Sequence, residues 1–140
     1  MFSKVKVFAM VALLAATTLM FSSCSKESQI TGKWRITRVS SSEWSAVSDD
    51  KGEVWNFKEG GKGSVILTGN DFDASWTISG DNLNLELDGV YYSGEKVKCT
   101  GDFSIETLKS KEMSLSGSWV FKYQGEQLAK YKVNYEFEKW

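Results

Sequence analysis

The stretch that decides the fold is Trp76–Leu87, with the sequence WTISGDNLNLEL. Apolar side chains stand at every second position on both sides of a central Gly-Asp-Asn triplet. An alternation with a period of two is typical of a strand that buries one face. Glycine, aspartate and asparagine favour the backbone angles of tight hairpin turns. The stretch therefore predicts two antiparallel strands joined by a hairpin.

The same alternation continues along most of the chain beyond residue 30. It predicts about eight to nine strands, separated by turns rich in Gly, Asn and Asp, among which we place Gly117. The alternating segments are Trp34–Ile36, Trp55–Phe57, Trp76–Ser79, Leu83–Leu87, Val97–Ile105, Met113–Leu115, Trp119–Tyr123 and Tyr131–Phe137. A further strand at Ser64–Thr68 is ambiguous, because it is apolar on both faces. Gly101, inside the longest segment, is interpreted as a bend or bulge. With no helical stripe and no crossover-length helix, we expect an all-β antiparallel meander, either a closed barrel or a sandwich.

The first 23 residues predict a secretory signal peptide. Two lysines precede Val7–Phe21, an uncharged and mostly apolar run that is shorter than the roughly 20 residues needed to span a bilayer. The stretch Phe21-Ser22-Ser23-Cys24 resembles the lipobox of bacterial lipoproteins, in the looser form of the Bacteroidetes. The resemblance implies cleavage before Cys24, acylation of Cys24 with palmitate-type chains, and anchoring to the outer membrane of the cell envelope, on its periplasmic or its surface face. A soluble secreted protein cut near Ser23 and an uncleaved anchor helix are the alternatives.

Cleavage at this point divides the chain into three parts. Residues 1–23 are the signal peptide, residues 24–30 a lipidated N-terminus with a short polar tether, and residues 31–140 the barrel domain. Lipidation of Cys24 leaves Cys99 without a partner for a disulfide. Cys99 alternates with polar neighbours, so we expect it to be buried as a small hydrophobic residue.

The composition excludes several classes of function. The chain has 140 residues, no histidine, and 17 basic against 18 acidic side chains. Without histidine it cannot build a histidine metal site or a Ser-His-Asp triad, and we expect no metal, no cofactor and no enzymatic activity. Loss of the two leader lysines leaves 15 basic and 18 acidic residues. The resulting net charge of −3 gives no reason to expect a nucleic acid partner.

The carboxylates are scattered along the predicted turns. A glycoside hydrolase needs two carboxyl groups that face each other across a cleft. We therefore interpret the acids as solvated turn residues, namely Asp49, Asp50, Asp71, Asp73, Asp81 and Asp88.

The first strand of the domain carries a family motif. Thr31-Gly32-Lys33-Trp34 resembles the Gly-x-Trp motif of lipocalins, and Trp55-Asn56-Phe57, the Trp76–Leu83 hairpin and a closing Phe137 resemble the lipocalin-like domains of Bacteroidetes lipoproteins. The resemblance implies an up-and-down barrel of about eight strands, whose mouth holds a small apolar ligand. In lipocalins an arginine near the end of the last strand stacks on the first-strand tryptophan. This chain has arginines only at 35 and 38, which leaves Lys130, Lys132 and Lys139 as candidates for that place.

The aromatic residues are the candidate functional groups. Ten of them fall on one predicted inner face: Trp55, Phe57, Trp76, Phe103, Trp119, Phe121, Tyr123, Tyr131, Tyr135 and Phe137. An eight-stranded barrel is just wide enough either to be filled by side chains or to hold one small ligand, and ten large rings favour filling. We expect Trp34 to plug the barrel floor. Trp44 lies in a polar loop, where it either covers the mouth or packs locally.

These residues lead to two hypotheses for function. The first is binding of a small hydrophobic or amphipathic ligand at the mouth, by contacts from Trp44, Trp55, Trp76, Tyr91, Tyr92, Trp119 and Tyr123. The second is a structural or interaction module that docks on a protein or a glycan through exposed loops. An inner cavity of roughly 300 Å³ or more favours the first, and a filled core with an exposed aromatic patch favours the second.

Overall fold

The computed structural model describes residues 25–140, so the predicted signal peptide and the predicted lipidation site Cys24 lie outside the described part of the chain. A short helix, a single 3₁₀ helix and ten strands make up the fold in this range. In chain order they are α1 (Lys26–Ile30), β1 (Gly32–Ser40), the 3₁₀ helix (Ser45–Asp50), β2 (Val54–Lys58), β3 (Lys62–Leu67), β4 (Asn70–Ser79), β5 (Asn82–Leu87), β6 (Tyr91–Tyr92), β7 (Glu95–Lys96), β8 (Lys98–Leu108), β9 (Glu112–Tyr123) and β10 (Glu126–Lys139).

Eight of these strands form one closed barrel, and β6 and β7 form a separate small hairpin. The order around the barrel is β1-β10-β9-β8-β5-β4-β3-β2, and every neighbouring pair is antiparallel. Apart from the closing pair β1–β10, each strand pairs with the next barrel strand along the chain. The prediction of an all-β, up-and-down barrel of about eight strands is confirmed. Closure leaves no barrel strand with an unpaired edge.

Two glycines have other roles than the sequence predicts. The prediction of a turn at Gly117 is wrong, because this residue lies inside β9, where an added Cβ would stand 2.0 Å from the carbonyl oxygen of Asp102. The bulge predicted at Gly101 is also absent, since the register of β8 with β9 shifts only between Ile105 and Thr107. An added Cβ at Gly101 would meet the ring of Trp119 at 2.8 Å. Both glycines therefore allow close packing within the sheet.

Because the strands alternate in direction, the connections collect at two opposite ends of the barrel. The first end carries α1 and the β2–β3, β4–β5 and β8–β9 turns, and we call it the closed end. The second end carries the long β1–β2 connection with its 3₁₀ helix, the β3–β4 turn, the β6–β7 hairpin and the β9–β10 turn, and we call it the mouth.

Helix α1 plugs the closed end. Ser25 caps the helix by accepting a hydrogen bond from the backbone N–H of Ser28, and Ile30 at its end is completely buried. Trp34 is also fully buried, and its Nε1 donates to the carbonyl oxygen of Ile30 at 2.7 Å. This confirms that Trp34 closes the barrel floor. The polar stretch expected to be a tether is thus a helix docked on the barrel, with an ion pair between Lys26 and Asp81.

A lysine covers Trp34 at the closed end. The Nζ of Lys139 stands 4.5 Å from the ring centroid of Trp34 and donates to the carbonyl oxygen of Thr31 at 2.8 Å. Of the three candidate lysines, it is therefore Lys139 that covers the tryptophan. Gly32, at φ 125°, is required there because an added Cβ would stand 2.8 Å from that ammonium nitrogen.

Aromatic rings fill the middle of the barrel. Trp55 is fully buried, and its ring centroid lies 4.8 Å from that of Tyr135, 4.9 Å from that of Phe137 and 6.1 Å from that of Trp119. Of the ten aromatic residues predicted for the inner face, eight are buried in this core, and Tyr123 and Tyr131 are partly buried and pack against it. The inward orientation of the eight buried residues is confirmed, and their rings occupy the centre of the barrel.

Candidate functional site

Four aromatic side chains meet at the mouth, and we call them the mouth cluster: Trp44, Tyr92, Phe121 and Tyr131. The ring of Trp44 stacks on that of Tyr131, with centroids 4.7 Å apart and an interplanar angle of 24°, and meets Phe121 edge-on at 5.7 Å. The ring of Tyr92 lies 5.5 Å from Phe121. The hydroxyl of Tyr131 donates a hydrogen bond to that of Tyr92, which stabilises the protonated phenol and raises the pKa of Tyr131. Two side chains from separate loops, Trp44 and Tyr92, therefore cover two strand residues.

Trp44 is held in place by the loop that carries it. The hydroxyl of Ser41 accepts hydrogen bonds from the backbone N–H groups of Glu43 and Trp44 and donates to the carbonyl oxygen of Lys132. The carboxylate of Glu43 accepts from the backbone N–H of Lys132 at 2.8 Å. These bonds fasten the loop to β10 and place the indole over Tyr131. Trp44 thus both covers the mouth and packs locally, so the two alternatives from the sequence describe one arrangement.

Tyr92 reaches the mouth cluster through the β6–β7 hairpin. The buried side chains of Val90 and Val97 anchor the two ends of this hairpin, and the backbone N–H of Val97 donates to the carbonyl oxygen of Val90. Because adjacent residues of a strand point to opposite sides, Tyr92 turns toward Phe121 and Tyr91 turns outward, with 66% of its surface exposed. Only one of the two tyrosines therefore belongs to the cluster.

The other predicted ligand contacts lie elsewhere. Trp55 and Trp119 are fully buried in the core, where Nε1 of Trp119 donates to the hydroxyl of Tyr135 at 2.9 Å. Trp76 lies toward the closed end, where its Nε1 donates to backbone carbonyls of the β2–β3 hairpin. Tyr123 is partly buried and lines an outer cleft beside the mouth. The structure thus brings Trp44 and Tyr92 together and separates them from Tyr91 and Trp76.

Asp50 is fully buried at the mouth. The prediction that it is a solvated turn residue is therefore wrong, because its surface is 0% exposed. Its two carboxylate oxygens accept hydrogen bonds of 2.8 Å from the backbone N–H groups of Thr68 and Gly69. Both of these turn residues have positive φ, which is unusual for the β-branched Thr68. Desolvation raises the pKa of Asp50, although the two backbone hydrogen bonds act in the opposite direction.

Cys99 is buried among apolar neighbours, as its place in the alternation predicts. Burial raises the pKa of its thiol to about 12. The thiolate is the nucleophilic form of cysteine, and this environment disfavours it. Cys99 therefore contributes packing to the core.

Clefts of about 450, 530 and 560 Å³ lie on the outer surface of the barrel. Within residues 25–140, no group of three or more cysteine, aspartate or glutamate residues is arranged to hold a metal ion. None of the helices in that range has the length and apolar character needed to cross a membrane. The clefts open to solvent, in contrast to the filled centre of the barrel.

Comparisons of this chain with protein-family models, with curated proteins and with solved structures find no match. The resemblance to lipocalin-like lipoproteins therefore stays a prediction, apart from the barrel itself. Within residues 25–140, the mouth cluster is the place where partly buried aromatic rings from loops cover aromatic rings of the barrel. Chemically, it offers flat apolar surfaces and two phenolic hydroxyl groups, which suits a shallow seat for a planar, amphipathic molecule.

Proposed function

We propose that this chain is a lipid-anchored protein of the bacterial outer membrane, lipocalin-like and without enzymatic activity, whose mouth binds a small amphipathic ligand. The observation that carries the proposal is the convergence of Trp44 and Tyr92 on Phe121 and Tyr131. Trp44 and Tyr92 are partly exposed, so a ligand ring can stack against them at the mouth.

The filled centre restricts the ligand to a shallow site. Trp55 and Trp119 occupy the space directly inside the barrel, which leaves no room for a long alkyl chain that inserts along the barrel axis. A rigid, flat molecule with a polar edge fits better, because its rings can stack on Trp44 and Tyr92 while its polar groups stay in water. Bile acids and porphyrins are suitable probes of this shape.

The lipid anchor fits the position of the closed end. Ser25, the residue after Cys24, caps α1 on the side of the barrel opposite the mouth. An acylated Cys24 would then hold the closed end toward the membrane and leave the mouth facing away from it. Mass spectrometry of the purified full chain tests this: an acylated N-terminal Cys24 supports the anchor, and an unmodified N-terminus contradicts it. A Cys24→Ser chain serves as the control.

Ligand binding is tested by calorimetric titration of the full chain with cholate and with protoporphyrin. Trp44→Ala and Tyr92→Ala should each weaken the affinity at least tenfold, since each removes a ring of the seat. Tyr91→Ala is the matched control and should bind as the parent does, because its side chain points outward. No binding of either probe, or an equal loss in Tyr91→Ala, would contradict a ligand seat at the mouth cluster.

A second candidate function is docking on a protein or glycan, which the filled core favours over a cavity. Tyr91 and Leu128 are exposed by 66% and 43% in segments that flank the mouth. This alternative predicts the reverse pattern of variants. On a glycan array or against an isolated envelope protein, Tyr91→Ala would abolish binding and Tyr92→Ala would leave it unchanged.

A further inference from the structure

A cleft lined by lysines lies on the outer surface of the barrel beside the mouth. Its volume is about 560 Å³, and its walls come from β7, the start of β8, the end of β9 and the β9–β10 turn. The residues that line it are Lys96, Lys98, Lys122, Tyr123, Gln124 and Gly125. We call it the lysine cleft.

Two of these lysines are placed in an unfavourable pairing. Lys98 and Lys122 stand directly opposite each other in the antiparallel ladder of β8 and β9. Side chains in such positions have Cβ atoms about 4.5–5.5 Å apart, and like charges there destabilise the sheet. Lys96 adds a third positive charge two residues before Lys98. The fold therefore brings three ammonium groups to one small cleft against their mutual repulsion.

Among the described residues, no acidic side chain lines the lysine cleft, although Lys122 also borders the adjacent outer cleft that contains Glu86 and Asp102. The ion pairs within residues 25–140 are Lys26–Asp81, Arg35–Glu138 and Arg38–Glu136, and none of them includes a lysine of the cleft. Glu95 and Glu126, the acids next to it in sequence, are absent from its lining. The chain beyond the predicted signal peptide carries a net charge of −3. The lysine cleft is therefore a positively charged patch on a protein that is negatively charged as a whole.

We propose that the lysine cleft binds the phosphate group of a small phosphate monoester. A phosphate monoester carries close to two negative charges at neutral pH, which three lysines can neutralise. Lysine binds phosphate as a point charge from several directions, so a flexible cluster suffices. Gln124 also lines the cleft, and its side-chain amide can donate a hydrogen bond to the phosphate. This site is separate from the mouth cluster and does not depend on ligand binding there.

The test is a calorimetric titration of the full chain with glycerol 3-phosphate at constant ionic strength, with glycerol as the uncharged counterpart. We expect glycerol 3-phosphate to bind and glycerol not to bind. The double variant Lys98→Gln/Lys122→Gln should bind at least tenfold more weakly. The matched control Lys33→Gln/Lys51→Gln removes the same charge outside the cleft and should bind as the parent does. Equal affinity in the parent and the cleft variant, or an equal loss in the control, would overturn the proposal.

Thermal unfolding supplies a second readout that a purely structural role of these lysines would not produce. Removal of the opposed charges should raise the melting temperature of Lys98→Gln/Lys122→Gln by a few degrees, while phosphate binding is lost. A fall in the melting temperature would mean that the lysines stabilise the sheet. It would contradict the proposal that they serve phosphate binding while destabilising the fold.

The source of the phosphate is decided by a third titration with dihexanoyl phosphatidic acid below its micellar concentration. Tighter binding than glycerol 3-phosphate assigns the cleft to a lipid headgroup, and equal binding assigns it to a soluble ester. Both results support the phosphate site. The Trp44→Ala variant separates this site from the proposed function, since it should lose cholate or protoporphyrin and keep glycerol 3-phosphate.

Discussion

The two ends of the barrel are closed in different ways. At the closed end, Trp34 is fully buried, hydrogen-bonded to the backbone of α1 and covered by Lys139. At the mouth, Trp44 and Tyr92 are only partly buried, and their side chains contact other rings from loops that are fastened to the barrel. One end is thus sealed as part of the core, and the other is covered by side chains on loops. The comparison indicates that opening at the mouth costs much less free energy than opening at the closed end.

The largest effect expected from this comparison is that of Trp34→Ala. It removes a fully buried indole and leaves the carbonyl oxygen of Ile30 without its donor, so we expect a loss of about 3–5 kcal/mol in the free energy of unfolding. Trp44→Ala removes a half-exposed ring and should cost about 1–2 kcal/mol. Urea unfolding measures both, and equal losses would show that the two ends do not differ.

The next effect concerns Asp50, which gives the mouth its one buried carboxylate anchor in the described range. Asp50→Asn replaces one acceptor oxygen by an N–H₂ group, so one of the N–H groups of Thr68 and Gly69 loses its partner. We expect a loss of about 1–3 kcal/mol at neutral pH, measured by urea unfolding. An unchanged stability would mean that the β3–β4 turn does not need this anchor.

Asp50 also makes the stability of the mouth depend on pH. Its folded-state pKa lies above the ordinary value of 3.8, so the native state binds the proton more tightly than the unfolded state. This contribution to stability is fully present below pH 3.8 and is lost as the pH rises through the folded-state pKa. Relative to Asp50→Asn, the parent should therefore gain stability when the pH is lowered from 7 toward 4. A relative loss on acidification would mean that the carboxyl group has a depressed pKa instead.

A smaller effect is expected from Lys139→Met at the closed end. Methionine keeps the aliphatic cover of Trp34 but removes the cation over the ring and the hydrogen bond to Thr31. We expect a loss of about 1 kcal/mol in thermal or urea unfolding. Lys139→Arg keeps the charge and is the control. If the methionine variant were as stable as the parent, packing alone would explain the seal.

The smallest effect is that of Tyr92→Phe, which keeps the ring at the mouth and removes its hydroxyl. The hydrogen bond between Tyr92 and Tyr131 lies near solvent, so we expect a loss of about 0.5 kcal/mol or less. The same change should lower the pKa of Tyr131, which ultraviolet titration of the tyrosines can follow. An unchanged titration curve would contradict this hydrogen bond.

Much of the barrel could be predicted because alternation reports directly which face of a strand is buried. Alternation identifies the aromatic residues that point inward around Trp55. Together with the short turns, it also predicts that each strand pairs with the next one along the chain. The prediction of a turn at Gly117 fails because glycine is favoured both in turns and where two strands pack closely. Only the close approach of the Asp102 backbone, which the sequence does not reveal, distinguishes the two cases. Asp50 was missed because its partners are backbone groups of a distant turn, which leave no pattern in the sequence.

The candidate site was predicted less completely than the fold. The sequence placed Trp44 and Tyr92 near the mouth, and alternation alone could have separated Tyr91 from Tyr92. It could not rank Lys130, Lys132 and Lys139, since the choice depends on the register between the first and last strands. The lysine cleft was not predicted for the same reason: Lys98 and Lys122 become opposed only through the pairing of β8 with β9.

The seal of the closed end also sets the order in which this chain can fold. The cover of the first strand comes from the last one, and the hydrogen bond from Lys139 to Thr31 joins residues 108 positions apart. A chain that emerges N-terminus first therefore keeps Trp34 exposed until β10 is available. Folding in such a topology ends in one late closure, on the timescale of roughly milliseconds to seconds typical of non-local β-sheet proteins. Until then, a holding chaperone would find a large aromatic surface to bind.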